Sequence, residues 1–320
     1  MSLENSIYSL SVEVKNAIEG KGSRELKRDK VLFILVDGLG YNVIGRLGLK
    51  EVRKINSVFP TITVTVLTTI LTATPPGVHG ILGWRVLDKE NGRIVNLLEE
   101  NANVGFAKPF LTEEDVILAP ALRPSMRLFK SITKNVIPYF SPWDAITQTN
   151  DIIKNKRPRF VFLYLPFVDA VSHYFGPYSS HTLYTAQQIL ELTRTLAEKL
   201  SGEYSVIITS DHGHIPVEGV VRIDKEILHY VDLPPYGDHR NLMLLSKKDP
   251  SEYLTKKYNL TVLNKEKARE IMGGDNIPDY VAIPNDNKLY MYWNDEEEAK
   301  HLGSHGGLSK EEMEIPLFIY

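Results

Sequence analysis

The sequence contains no cysteine. Disulfides, thiolate metal sites, cysteine nucleophiles and cysteine-derived sulfatase chemistry are excluded together, so any metal must rest on histidine and carboxylate. A basic excess is missing as well: 37 lysines and arginines against 40 aspartates and glutamates leave a formal charge of −3, with no field to hold a polyanion. A nucleic-acid polymer is excluded as a partner on that ground, and a small molecule is favoured. Also absent is any apolar run near the roughly 20 residues that cross a bilayer. The opening residues, MSLENSIYSLSVEVKN, are mixed and polar instead of basic then apolar. The expectation is a cytoplasmic protein without membrane contact; the residues set no oligomeric state.

What is present is enough for a sizeable core. With 320 residues, 43% hydrophobic and 24% charged, the chain suits one large domain or a domain carrying an inserted cap. Three short β-rich apolar runs, VLFILV (31–36), FVFLYL (160–165) and YSVIIT (204–209), have the near-continuous hydrophobicity of strands buried on both faces. Helical patterns lie between them at 141–155 and 180–200, the second preceded by a serine suited to cap it. This alternation predicts an α/β fold with a largely parallel central sheet sandwiched by helices, and ligands collected at the carboxyl ends of the strands. From 218 to 300 short strand-like pieces alternate with PP, GG and PND turns. The predicted organisation is therefore a core of 1–217 and 301–320, with 218–300 as an inserted α+β cap subdomain.

Each apolar run stops at polar residues. Asp37 follows the first, Asp169 and His173 follow the second at a spacing of four that places both on one helical face, and Asp211-His212 follow the third. His305 lies in GSHGG, where glycines permit close approach to an ion. These three carboxylates and three imidazoles make two half-filled zinc-type sites, the catalytic kind. FPTITVTVLTTILTATPPGVHGILGW (59–84) supplies a nucleophile: FPTIT is extended and a helical pattern starts near Thr63, so a hydroxyl would sit among unpaired N–H groups at a helix start.

Simpler readings compete with each of these. Asp37 alone suits a turn or helix cap, Asp169 and His173 a surface pair, and His305 an ordinary loop. Thr61, Thr63 and Thr65 also alternate as one face of a strand would. His79 is read as a turn buttress; His214 and His181 stand outside the expected ligand set; His229 and His301 are read as surface residues. Tyr174, Phe175 and Tyr178 are assigned to packing beside a Gly-Pro turn. A non-enzymatic anion-binding module is the rival function, disfavoured because clustered carboxylates without a cation repel.

LVDGLG, FPTIT…PPGVHGI, FVDAVSHYFGP, TSDHGH and SHGGLSKEEMEIP occur in an order and spacing that resembles the alkaline phosphatase superfamily, and within it the type I phosphodiesterase and nucleotide pyrophosphatase family. The resemblance covers most of 30–217 and the last 20 or so residues, not the cap. It implies two divalent metal ions, zinc first, with manganese or iron accepted by the same donors. One ion would be held by Asp37, Thr63, Asp211 and His212, the other by Asp169, His173 and His305, with Thr63 as catalytic nucleophile and Thr61 and Thr65 as near misses. It also implies hydrolysis of a small-molecule phosphate ester, with a nucleotide as one candidate, by a phosphodiesterase or nucleotide pyrophosphatase, with phosphomonoesterase or phosphonate hydrolase activity as the alternative. The sequence departs from the family at Val66, where an asparagine that binds a phosphate oxygen is expected; the Val64 N–H, His239 and Arg240 are the substitutes considered.

Overall fold

The computed structural model describes residues 3–97, 108–122 and 125–320; parts of the expected core, including 98–107, lie outside the described residues. Among the described residues a seven-stranded sheet carries the core, in the order 53–56, 314–319, 205–209, 31–36, 160–165, 116–120, 136–139. The central Val31–Val36 strand pairs in parallel with Phe160–Leu165 on one side and Ser205–Thr209 on the other. Glu314–Ile319 runs antiparallel to both of its neighbours, so the sheet is parallel except for that strand. Alternate side chains of Val31–Val36 enter different apolar layers. Phe33 and Leu35 join Phe160 and Phe162 on one face, and Leu32, Ile34 and Val36 join Leu163 and Ile208 on the other. Helices cover both faces, among them Pro142–Lys156 and Ser180–Leu200, each begun by a serine side chain that accepts the first-turn N–H.

The Thr63–Thr72 segment is a helix, not a strand. Its β-branched residues would favour a sheet, yet all ten are buried, and the Thr68, Thr69 and Thr72 hydroxyls donate back to the carbonyls of Val64, Thr65 and Thr68. Those three hydroxyls are thereby buried with partners. The N-terminal Ile7–Ile18 helix, capped by Ser6, packs against this one.

A second, six-stranded antiparallel sheet is not confined to 218–300. Its order is 260–264, 280–284, 241–244, 236–238, 85–88, 93–96. The hairpin Arg85–Asp88 and Arg93–Asn96 is thus contributed by the chain just after the Thr63 helix, with Gly237 opposite Arg85. Edge pairing recruits to the second sheet a segment about 150 residues distant from the 218–300 stretch's own strands. The Asn91-Gly92 turn, with Gly92 at φ 62°, is the local signal for that hairpin.

Candidate metal centre and nucleophile

The polar residues that end the strands converge. Asp37 leaves the Val31–Val36 strand, and its carbonyl accepts the Asp169 amide at 2.9 Å, which ties it to the start of the Phe167–Phe175 helix. Asp211-His212 leave Ser205–Thr209 one strand over. The loop around His305 is brought in by pairing of Gly303–Ser304 with Ile215–Pro216. His305 is fixed from below, since its Nδ1 donates to the Thr61 carbonyl at 2.7 Å.

Two groups of donors result. In the first, the His212 Nε2 lies 3.4 Å from Asp37 Oδ1, 3.3 Å from Asp211 Oδ2 and 3.2 Å from Thr63 Oγ1. In the second, Asp169 Oδ1 lies 3.1 Å from His173 Nε2, 3.1 Å from His214 Nε2 and 3.7 Å from His305 Nε2. The His212 and His305 rings stack with centroids 3.5 Å apart, so the groups share a wall. Ligands about 2.0–2.2 Å from one tetrahedral ion stand about 3.3–3.5 Å from each other, and these separations scatter around that edge.

The chemistry of the donors fits divalent cations. Asp37 Oδ1, Asp211 Oδ2, Asp169 Oδ1 and both His214 nitrogens are buried without a hydrogen-bond partner. Such groups are costly unless a cation pairs them. Nδ1 of His173, His212 and His305 each face a carbonyl, of Gly303, Gly213 and Thr61, and carry the proton there, leaving the Nε2 lone pairs directed into the two groups. Burial, then the Asp211 and Asp169 charges, push the Asp37 carboxyl well above its ordinary range, although Tyr164 donates to it. Burial also opposes ionisation of Asp169, but His173 and His214 beside it hold that carboxyl well below the usual range. Burial and the neighbouring imidazoles of His212 and His214 keep His305 neutral. These donors by themselves are thus electrostatically frustrated. A surface cleft of about 950 Å³ between the Pro142–Lys156 and Ser180–Leu200 helices is lined by none of these donors.

The three threonines separate by role. Thr61 is occupied: its hydroxyl donates to Gly307 O and accepts the Gly306 N–H, pinning the glycine loop. Thr65 is buried with an unpartnered hydroxyl. Thr63 opens a helix whose N-cap, Ile62, offers no side-chain acceptor, and its hydroxyl faces His212. The N–H groups of that first turn point out of the helix, as at any helix start. Val66 is fully buried in the apolar layer beneath the helix. Neither cap substitute for the missing asparagine is free. Arg240 spends its guanidinium on a bidentate pair with Glu312 at 3.0 Å and on the carbonyls of Lys288 and Asp286, and His239 contacts Glu298 and Asp295.

The histidines outside the expected set divide. His79 is a buttress, accepting the Ile81 N–H at Nδ1 and bonding Thr69 through Nε2. His181 is exposed and stacks on Phe175. His301 is not a free surface residue, because its ring lies 4.4 Å from that of His173. His214 was outside the expected set, yet it stands in the second group. Its signal was in plain view as the last letter of TSDHGH, two residues beyond His212 across a glycine.

A family model for type I phosphodiesterase/nucleotide pyrophosphatase matches residues 31–123 and 123–308. No curated protein matches the chain. Among solved structures, murine ectonucleotide pyrophosphatase/phosphodiesterase 5 aligns over 90% of this chain and 87% of its own, with TM-score 0.71 and 20% identity; an inactive variant of it is known in complex with AMP. The human counterpart aligns over 91% and 87%, at 0.70 and 21%. Phosphonoacetate hydrolase from Sinorhizobium meliloti 1021, in complex with phosphonoacetate, aligns over 91% and 89%, at 0.65 and 17%.

Proposed function

The chain belongs to the type I phosphodiesterase/nucleotide pyrophosphatase family, and from that premise we propose that it hydrolyses small-molecule phosphodiesters or pyrophosphates, nucleotides among them, through a covalent intermediate on Thr63. The observation that carries this reading is the Thr63 hydroxyl at an uncapped helix start, 3.2 Å from His212 in a pocket of unpaired carboxylate oxygens. Asp37, Asp211, His212 and Thr63 would hold one divalent ion and Asp169, His173 and His305 another, zinc before manganese or iron. Bound there, such ions supply a lowered hydroxyl pKa and charge stabilisation of a phosphoryl group.

The chain's own residues do the rest. The amides of Val64 and Thr65, at the positive end of the Thr63–Thr72 helix, bind the phosphoryl oxygens in place of the side chain that Val66 cannot provide. Thr63 Oγ1 forms the bond to phosphorus as the bond to the leaving oxygen breaks, its proton passing to solvent and the leaving group departing as an alcohol or phosphate; water then cleaves the nucleotidyl- or phospho-threonine, its hydroxyl staying on phosphorus and a proton returning to Oγ1. AMP in the murine relative supports a nucleotide as substrate. Loss of the asparagine donor and the likeness to phosphonoacetate hydrolase favour phosphonate cleavage as the second reading.

Steady-state kinetics on bis-p-nitrophenyl phosphate, p-nitrophenyl phosphate and phosphonoacetate test the proposal. The diester is expected to give the highest kcat/KM, and Thr63→Ala to lose at least about 1,000-fold in kcat while retaining its ions by elemental analysis. Highest activity on phosphonoacetate moves the assignment to phosphonate hydrolysis. Parent-level turnover by Thr63→Ala rejects the nucleophile.

A further inference from the structure

We infer that His214 is a fourth protein ligand of the Asp169 ion, so that the two metal positions are unequal: one is closed by protein donors and the other is open. The inference rests on the two-ion reading above and deepens it. His214 is 1% exposed, and neither ring nitrogen has a hydrogen-bond partner. An imidazole buried in that state forfeits two hydrogen bonds with water and regains none. Its Nε2 lies 3.1 Å from Asp169 Oδ1, the same distance as His173 Nε2 from that oxygen, and Asp169 Oδ1 is itself unpartnered. The His214 ring is steeply inclined to its neighbours, at 82° to His173 with centroids 4.9 Å apart and at 75° to His305 with centroids 5.1 Å apart. Imidazoles that radiate from one centre take such angles. A single cation at that centre pairs Asp169 Oδ1 and His214 Nε2 together and leaves His214 Nδ1 as the one unpartnered atom of that group.

The ring is also held in place by shape. A methyl group on Gly38 would come within 2.7 Å of His214 Cε1 and 2.7 Å of Asp169 Cα, so the glycine of LVDGLG leaves the space the imidazole fills. The carbonyl anchors that orient His173, His212 and His305 have no counterpart at His214 Nδ1. Packing does for His214 what hydrogen bonds do for the others.

Donor count then separates the positions. Three imidazoles and one carboxylate fill a tetrahedral shell at the Asp169 position, the closed arrangement. Two carboxylates, one imidazole and the Thr63 hydroxyl surround the other, where the hydroxyl is also the reacting group. The Asp169 position is therefore the one that fills first and resists chelation longest, and the substrate's phosphoryl group meets the Asp37 position.

Zinc titration into metal-free protein against a competing chelator, with elemental analysis at each step, reads this directly. The parent is expected to bind two ions with distinct affinities. His214→Asn and His214→Ala should weaken the tighter one at least about 100-fold, beyond the 10–100-fold typical of losing a group that only supports a ligand, and leave the weaker one unchanged. A second measurement needs no variant. In cadmium-113-loaded parent labelled with nitrogen-15 histidine, four imidazoles, those of His173, His212, His214 and His305, should show nitrogen–cadmium coupling. Coupling from only three, or variants that bind both ions as the parent does, overturns the inference while leaving the hydrolase reading intact. A parent that binds no divalent ion overturns both.

Discussion

Replacing Gly38 with alanine tests the geometry at its tightest point. Gly38 follows Asp37 at φ 74°, and its N–H donates to Asp211 Oδ1 at 3.1 Å, so its backbone conformation is tied to the ligand cluster. An alanine there pays about 1–2 kcal/mol for the left-handed conformation. Its Cβ would also meet Asp169 Cα and His214 Cε1 at 2.7 Å and Asp169 Cβ at 2.9 Å, and the nearest of these is backbone that cannot swing aside. Overpacking of that kind costs about 1–3 kcal/mol. The sum is about 2–5 kcal/mol. With an unfolding entropy of about 2.1 cal/mol/K per residue, the 320 residues give about 0.7 kcal/mol/K, so Tm should fall by about 3–7 °C. Because Asp169 is what must move, the ion it would hold should be lost as well.

Gly45→Ala is the internal control. Gly45 lies in the Tyr41–Arg46 helix with nothing within 4 Å of the new Cβ, and the substitution should stabilise by about 0.5–1 kcal/mol through helix propensity. Differential scanning calorimetry and elemental analysis of both variants decide the matter. Gly38→Ala with parent Tm and parent ion content, or Gly45→Ala falling as far as Gly38→Ala, refutes the reasoning.

Arg240→Met should destabilise by about 3–5 kcal/mol in urea unfolding, because fully buried Glu312 is then left without its bidentate partner; adding Glu312→Gln should recover part of the loss. Unchanged stability with weakened phosphate binding would instead make Arg240 a substrate ligand. His79 contributes an acid-side instability. Burial lowers its pKa to about 3, so the unfolded chain takes up the proton first as pH falls below 6.5, and stability present above 6.5 is lost down to about 3. The loss reaches at most about 1.4 kcal/mol per pH unit. His79→Asn, which keeps an acceptor for the Ile81 N–H, should flatten the dependence of stability on pH between 4.5 and 6.5 by up to one proton; an unchanged slope contradicts the assignment.

Part of the site was legible along the chain and part was not. Asp37, Asp211 and His212 could be found because each lies just beyond a run too apolar to lie anywhere but inside a sheet, and the carboxyl ends of parallel strands open on one crevice. Asp169 and His173 were readable from a helical spacing of four. His214 was harder: adjacency to His212 does not say which way a side chain leaves the chain, and the space its ring fills is left by Gly38 at another strand end. Arg240 looked available as a cation in a loop, and only Glu312, 72 residues later, shows it to be spent. The threonine run illustrates the same division, since alternation there suited a strand while burial and back-bonded hydroxyls made it a helix.

By itself the sequence determined the donor chemistry, the α/β layering and the strand ends at which the donors sit, because hydrophobic periodicity and residue type are local properties. Tertiary structure alone decided which threonine faces the donors, which histidines share a carboxylate oxygen, and that residues 85–96 complete the second sheet. Those outcomes depend on side-chain directions and edge pairings between segments far apart in the chain, and close packing admits only one arrangement of them at a time.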